Sequence, residues 1–208
     1  MFSTNYINMK KFIVAEKLHM SQIFNKDGKV VPVTILKAAP VKVTQVKGAE
    51  KDKYTAVQVG FGKKKSQNKA MAGHLKGMKN YARLVEFRIP SDMTFEKGQE
   101  IKVDSFEIGD VVSVTSQMKG RGFAGAIKRH GFHGQPASHG HDHQRAVGSI
   151  GMRFPQHVRK GLRMAGHMAG SRTVKNLEVV DIDAKKNLIA IKGAVPGAPG
   201  AMVKIETK

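Results

Sequence analysis

Apolar positions in this chain fall into short runs of alternating or β-branched residues rather than into helical stripes. Phe12 to Phe24 and Lys29 to Lys37 are rich in Val and Ile. The Asp-Gly step within Asn25-Lys26-Asp27-Gly28 suits a tight hairpin between them. Val41 to Val46 reads VKVTQV, the strict alternation of a half-buried strand. Tyr54 to Phe61, Arg83 to Ile89, Ile101 to Phe106 and Asp110 to Gln117 follow as short strands separated by turn residues. Farther on, Val174 to Asp183 and Asn187 to Lys192 predict a second hairpin, and Met202 to Glu206 a last strand. Gln67 to Tyr81 (QNKAMAGHLKGMKNY) instead reads as a helix weakened by Gly73 and Gly77.

Many short strands at this spacing predict a closed or nearly closed β-barrel. Its body draws on both ends of the chain, residues 9–116 and 174–208, with a small helix-containing α/β insertion at about 48–82. The fold class is mainly β.

The pattern stops between residues 117 and 173. This segment has no sustained apolar period of 3.6 or of 2, so it cannot bury a core of its own. It holds ten Lys or Arg and one acid, Asp142, with seven of the nine His, seven of the nine Arg and half of the 22 Gly. It reads as a long basic, Gly-rich loop extending from the body. If it runs out and back, about 28 residues each way at ~3.3 Å reach at most roughly 90 Å. Phe123 to Arg129 within it suggests a turn or two of helix.

Charge names the partner. The 208-residue chain carries a net +20, which destabilises a compact fold by self-repulsion unless a polyanion meets it. Residues 1–116 carry 20 basic and 11 acidic groups; residues 117–173 reach the same net +9 at half the length. Nucleic acid is favoured over an anionic membrane, because Arg suits phosphate and base edges. No apolar run approaches the roughly 18 to 20 residues of a membrane span, and the first residues lack a secretory h-region. With no Cys, disulfides and thiolate metal sites are excluded.

Within the segment, Lys119, Arg121, Lys128 and Arg129 bracket the Gly-rich stretch Gly120 to Gly125. Arg153, Arg159, Lys160 and Arg163 recur with Gly161, Gly166 and Gly170. Glycine lets backbone approach phosphates closely and leaves N–H groups free to donate. Phe123, Phe132 and Phe154 either stack on bases or anchor the segment to the body. His139, His141 and His143 with Asp142 form HGHDH, whose alternate spacing puts three rings on one side of an extended chain. A zinc or nickel site there lacks the second shell and dry cavity that metals need, and the surrounding charge repels cations. Contacts to phosphates and 2′-hydroxyls fit better. Lys63, Lys64 and Lys65 are either a second phosphate contact or a solvated cluster. Gly60 to Gly62 is no dinucleotide fingerprint, no Walker loop occurs, and Ser149 in GSIG lacks the GxSxG pattern. Neither a catalytic residue, a metal nor a cofactor is assigned.

Ordered motifs then match a known family. Lys17 to Gln22 (KLHMSQ), Ala72 to Lys76 (AGHLK), Lys119 to Lys128 (KGRGFAGAIK), His139-Gly140, Arg145, Gly148 to Gly151, Lys160-Gly161, Met164-Ala165-Gly166 and Lys192 to Gly197 (KGAVPG) occur in family order. From Met9 to Lys208 the chain resembles the universal large-subunit ribosomal protein three family, in its bacterial or organellar form. The resemblance implies a translation-factor-like β-barrel carrying a long loop that threads large-subunit rRNA towards the peptidyl transferase centre. It implies a structural, non-enzymatic role in early subunit assembly, in a cytoplasmic or organellar ribosome. Its partners would be rRNA and neighbouring large-subunit proteins, with no membrane and no small-molecule substrate. Combined with the residue reading, it gives the expected rRNA contacts: Lys63, Lys64, Lys65, Lys119, Arg121, Phe123, Lys128, Arg129, His130, His139, Arg145, Arg153, Arg159, Lys160, Arg163 and Arg172. The competing readings are a non-ribosomal RNA-binding or RNA-chaperone protein and a His-metal hydrolase. Met152 stands where some members carry a methylated Gln, and Val147 where many have Pro. Residues 1–8 precede the family's usual start and read as an N-terminal tail.

Overall fold

In a computed structural model of the chain, which describes residues 10–25 and 27–207, the hairpin expected at Asn25 to Gly28 forms. Gly28 takes φ 73° and donates its N–H to the Asn25 carbonyl at 2.9 Å. The expected tail at residues 1–8, and Met9, lie outside the described residues. In chain order the elements are β1 (Phe12–Phe24), β2 (Val30–Lys37), β3 (Val41–Lys47), α1 (Ala49–Asp52), β4 (Ala56–Lys63), α2 (Lys69–His74), β5 (Tyr81–Arg88), β6 (Glu100–Ile101), β7 (Val111–Gln117), β8 (Phe123–Ala124), α3 (Ala126–His130), β9 (Gly166–His167), β10 (Ser171–Asp183), β11 (Leu188–Lys192) and β12 (Met202–Thr207). The protein is mainly β.

By internal packing the chain divides into two units: Met1–Gln117 with Arg172–Lys208, and Met118–Ser171. In the first, six strands close into a ring in the order β1-β12-β7-β10-β11-β2. Strand β1 serves two partners in turn. Phe12 to Glu16 pair with β12; pairing with β2 begins at Glu16 and Lys17 and resumes from Met20 to Phe24 after a register shift between Lys17 and Met20. Such a bulge bends a strand and lets its two halves face different neighbours. Phe12, Ile13, Val14 and Ala15 are accordingly buried, whereas Met20 and Phe24 are exposed.

A second sheet of order β5-β4-β3-β6, antiparallel throughout, belongs to the same unit. Its strands fall between Val41 and Ile101, with α1 between β3 and β4 and α2 between β4 and β5. One apolar cluster joins sheet to ring. Phe87 of β5 is fully buried and stacks on Phe12 of β1 with ring centroids 4.6 Å apart. Burying one such ring stabilises the fold by roughly 2 to 3 kcal/mol.

Three expected elements come out differently. The strand expected at Ile101 to Phe106 is only Glu100–Ile101, followed by a 3-10 turn over Val103–Ser105. Ser105 donates its hydroxyl to the Lys102 carbonyl at 2.9 Å and so favours the turn. The helix expected over Gln67 to Tyr81 is confined to six residues. The Asn68 side chain caps it by accepting from the Met71 N–H at 3.0 Å. Leu75 is the only buried side chain from Gln67 to Tyr81, so no apolar stripe holds further turns, and Gly77 at φ 83° leaves the helical region. The helix expected at Phe123 to Arg129 begins as strand β8 and turns helical only at Ala126.

In the second unit, β8 and β9 pair antiparallel, Phe123 with His167 and Ala124 with Gly166. Further backbone bonds extend the ladder: Met118 N–H to the Gly170 carbonyl at 2.9 Å, and Arg121 N–H to that of Met168 at 3.0 Å. Among its described residues the only buried apolar side chains are Ala124 and Ala126.

Candidate nucleic-acid interface

Of the nine basic side chains between Met118 and Ser171, Arg129 meets a carbonyl and Arg153 a Phe ring, and the other seven have no partner among the described residues. None of the nine makes an ion pair among the described residues, and Asp142 is the unit's only acid. Lys119 and Arg121 lie exposed on the irregular chain leading to β8, and Phe123 is exposed in β8. Lys128, Arg129 and His130 occupy the last turn of α3, where cations complement the helix dipole. Gly131 ends that helix at φ 74°.

Two of these residues bind the returning chain. Arg129 Nη1 donates to the Met164 carbonyl at 2.8 Å, and His130 Nε2 lies 2.9 Å from the same oxygen. A carbonyl only accepts, so His130 carries its proton on Nε2. Gly166 makes room for this arrangement: a Cβ there would stand 2.7 Å from Arg129 Nη1. Arg129 as a whole is exposed.

Farther along, His139 is exposed at φ 61°, and Arg145 is exposed beside Gln144, whose amide donates to the Ala137 carbonyl at 3.0 Å. The Arg153 guanidinium sits 5.8 Å from the Phe154 ring centroid. Arg159, Lys160 and Arg163 are exposed around a turn in which Gly161 takes φ 80°. Phe123 is 71% and Phe154 66% exposed, so neither is a core anchor. Phe132 is half-buried, 6.1 Å from the His130 ring. In HGHDH, the His143 N–H donates to His141 Nδ1 at 3.3 Å, and no group of three metal-binding side chains converges among the described residues.

The structure does not gather all sixteen expected residues into one unit. Lys63, Lys64 and Lys65 are exposed at the end of β4, and Arg172 is exposed on β10, all in the first unit. Charged contacts with a structural role also lie there. Lys47 makes an ion pair with Glu86 at 2.7 Å and donates to the Tyr54 hydroxyl at 2.7 Å. The Lys47 bond holds the Glu86 carboxyl below its ordinary value, against burial, which pushes the other way. The same bond, with Tyr54, holds the Lys47 ammonium above its own. Lys42, Lys79 and Lys97 belong to no motif of the sequence; the one legible signal near them is the aromatic residue that follows two lysines in KGMKNY.

Residues 62–192 match the family model for ribosomal protein L3. A large ribosomal subunit protein uL3 from Pelotomaculum thermopropionicum is 48% identical over 203 residues, covering 95% of this chain and 97% of that one. The protein of the same description from Thermotoga maritima is also 48% identical, over 201 residues, with 95% and 97% covered. That from Agathobacter rectalis is 46% identical over 220 residues.

The chain belongs to the ribosomal protein L3 family. Its relatives are named as ribosomal proteins, a family that is not enzymatic. The L3 family match takes in the whole second unit and Lys63 to Lys65. No helix among the described residues is long and apolar enough to cross a membrane.

Proposed function

We propose that this chain is a structural constituent of the large ribosomal subunit. It binds large-subunit rRNA, acts early in subunit assembly and sits among neighbouring large-subunit proteins in a cytoplasmic ribosome. The ring of strands is the translation-factor-like barrel body. The segment 117–173 is the long basic loop reaching towards the peptidyl transferase centre.

One observation carries the reading. From Met118 to Ser171, nine basic side chains answer a single carboxylate, aromatic rings stand in solvent, and two alanines are all that is buried of the apolar set. Apolar burial that small cannot offset an ordering cost of roughly 1 to 2 kcal/mol per residue. A polyanion supplies the missing stabilisation. Arg forks bind phosphates bidentately, and exposed Phe123 and Phe154 stack on unpaired bases. The site comprises Lys119, Arg121, Phe123, Lys128, Arg129, His130, His139, Arg145, Arg153, Arg159, Lys160 and Arg163. Lys63 to Lys65 and Arg172 add contacts from the first unit.

Sedimentation of the tagged chain through high-salt gradients tests the reading. Co-migration with the large subunit is expected. Migration away from it, or binding to any RNA without site preference, would point instead to a general RNA chaperone.

A further inference from the structure

A second feature suited to RNA lies in the first unit, outside the basic segment. Tyr81 opens β5, and its ring lies flat on the backbone of Gly60 in β4, where a Cβ would fall against three atoms of the ring. Glycine at position 60 is therefore what lets the ring seat there. The phenol lines two adjoining hollows, of about 270 and 430 Å³. Both also contain Lys42 and Lys79; Lys63 lines one of them, and Lys76 and Lys97 line the other.

Charge in this cleft is one-sided. Lys42 is 3.4 Å from Glu100, and Glu16 is the only other acid in the lining. Lys63, Lys76, Lys79 and Lys97 make no ion pair among the described residues. The Tyr81 hydroxyl makes no hydrogen bond among them either. Burial holds the phenol above its ordinary pKa, so it stays a proton donor at neutral pH. A seated aromatic ring beside a basic groove is the recurring platform for an unpaired base with its flanking phosphates. Lysine serves there as a flexible point charge on phosphate oxygens.

We propose that the Tyr81 cleft receives one unpaired RNA nucleotide, its base stacked on the Tyr81 ring and its phosphates held by Lys42, Lys79 and Lys97. This rests on the rRNA-binding reading and deepens it, adding a base-stacking contact on the sheet to the phosphate contacts of the basic segment. An acidic peptide would use the lysines and have no need of the ring.

The test is base-specific chemical footprinting of large-subunit rRNA bound by the full chain, comparing wild type with Tyr81→Leu, Tyr81→Phe and Gly60→Ala. Tyr81→Leu is expected to lose protection of one unpaired nucleotide and to weaken binding on the order of 10-fold. Tyr81→Phe keeps the ring and the protection. Gly60→Ala displaces the ring and loses the same protection with Tyr81 intact. In every variant the protections due to residues 117–173 persist, which shows the protein folded and bound. A footprint unchanged in Tyr81→Leu overturns the stacking site alone. A wild-type chain that protects no rRNA overturns it together with the reading beneath it.

Discussion

The ammonium group of Lys17 donates to the carbonyl oxygen of Gly197 at 3.0 Å, across 180 residues of sequence. It donates to the Val195 carbonyl as well, at 2.6 Å. The backbone reinforces this, with Lys17 N–H to Ala201 and Gly200 N–H to Lys17. KLHMSQ and KGAVPG are thus two halves of one structural joint, where β1 leaves β12 for β2. Replacing Lys17 with Met keeps the apolar stem and orphans two carbonyls. A loss of about 1.5 to 3 kcal/mol is expected, read as a lower urea midpoint with unchanged slope.

Gly197 sits at φ 99°, and a Cβ there would lie 2.8 Å from the Ser116 hydroxyl and 3.1 Å from the Gln117 carbonyl. Ser116 is itself committed, donating to the Met202 carbonyl at 2.7 Å. Gly197→Ala is therefore expected to destabilise by roughly 1 to 3 kcal/mol. Gly73→Ala should move the other way. Gly73 is helical with nothing within 4 Å of its missing Cβ, so alanine gains about 0.5 to 1 kcal/mol. Thermal melts of the two variants check the opposite signs.

Glu86 sets a pH dependence. Its carboxyl is held below the ordinary 4.5 by the Lys47 bond and then by Tyr54. The stability it contributes is present above that value and is lost as pH falls through the lower folded one. Glu86→Gln is expected to be less stable than wild type at pH 7. The two curves should converge once pH falls below the folded-state value, where the carboxyl is protonated in both states. Curves that stay parallel throughout the acid limb would contradict the assignment.

Residues 118–171 have little buried apolar surface, which places their opening at the low-stability end of the molecule. Limited proteolysis of the free chain should cut there first. The same bonds should be protected when the chain is assembled in the subunit. Equal protection in both states would count against ordering by RNA.

Arg145 is exposed and makes no ion pair among the described residues. Arg145→Ala should leave the melting temperature unchanged and impair late maturation of the large subunit. Lys51→Ala, on exposed α1, should do neither. Subunit profiles from cells carrying each variant decide this.

Much of this was legible in the sequence. VKVTQV became β3, and the Asn25 to Gly28 turn became the β1–β2 hairpin, because alternation and an Asp-Gly step each specify local geometry. Ile101 to Phe106 misled because Ile101 and Val103 keep a strand's alternation, whereas the 3-10 turn over Val103–Ser105 buries only Val103 of its three residues before buried Phe106. At the candidate interface, composition showed the cations but could not order them. Arg129 and His130 bind a backbone carbonyl, which no side-chain letter announces. The Tyr81 cleft was invisible for a related reason. Its lysines come from separate segments between Lys37 and Lys97, which only the fold brings together.

The central claim is that the exposed cations of residues 117–173 meet rRNA phosphates. It is tested most directly by the salt dependence of large-subunit rRNA binding by the full chain. With about 6 to 10 phosphates contacted, affinity should fall by ~10³ to 10⁵ between roughly 50 and 200 mM salt. Replacing Arg121, Arg153, Arg159 and Arg163 with Gln should reduce the slope of log affinity on log salt by about 3 to 4. A flat salt curve, or a slope unchanged by those four replacements, would contradict the account.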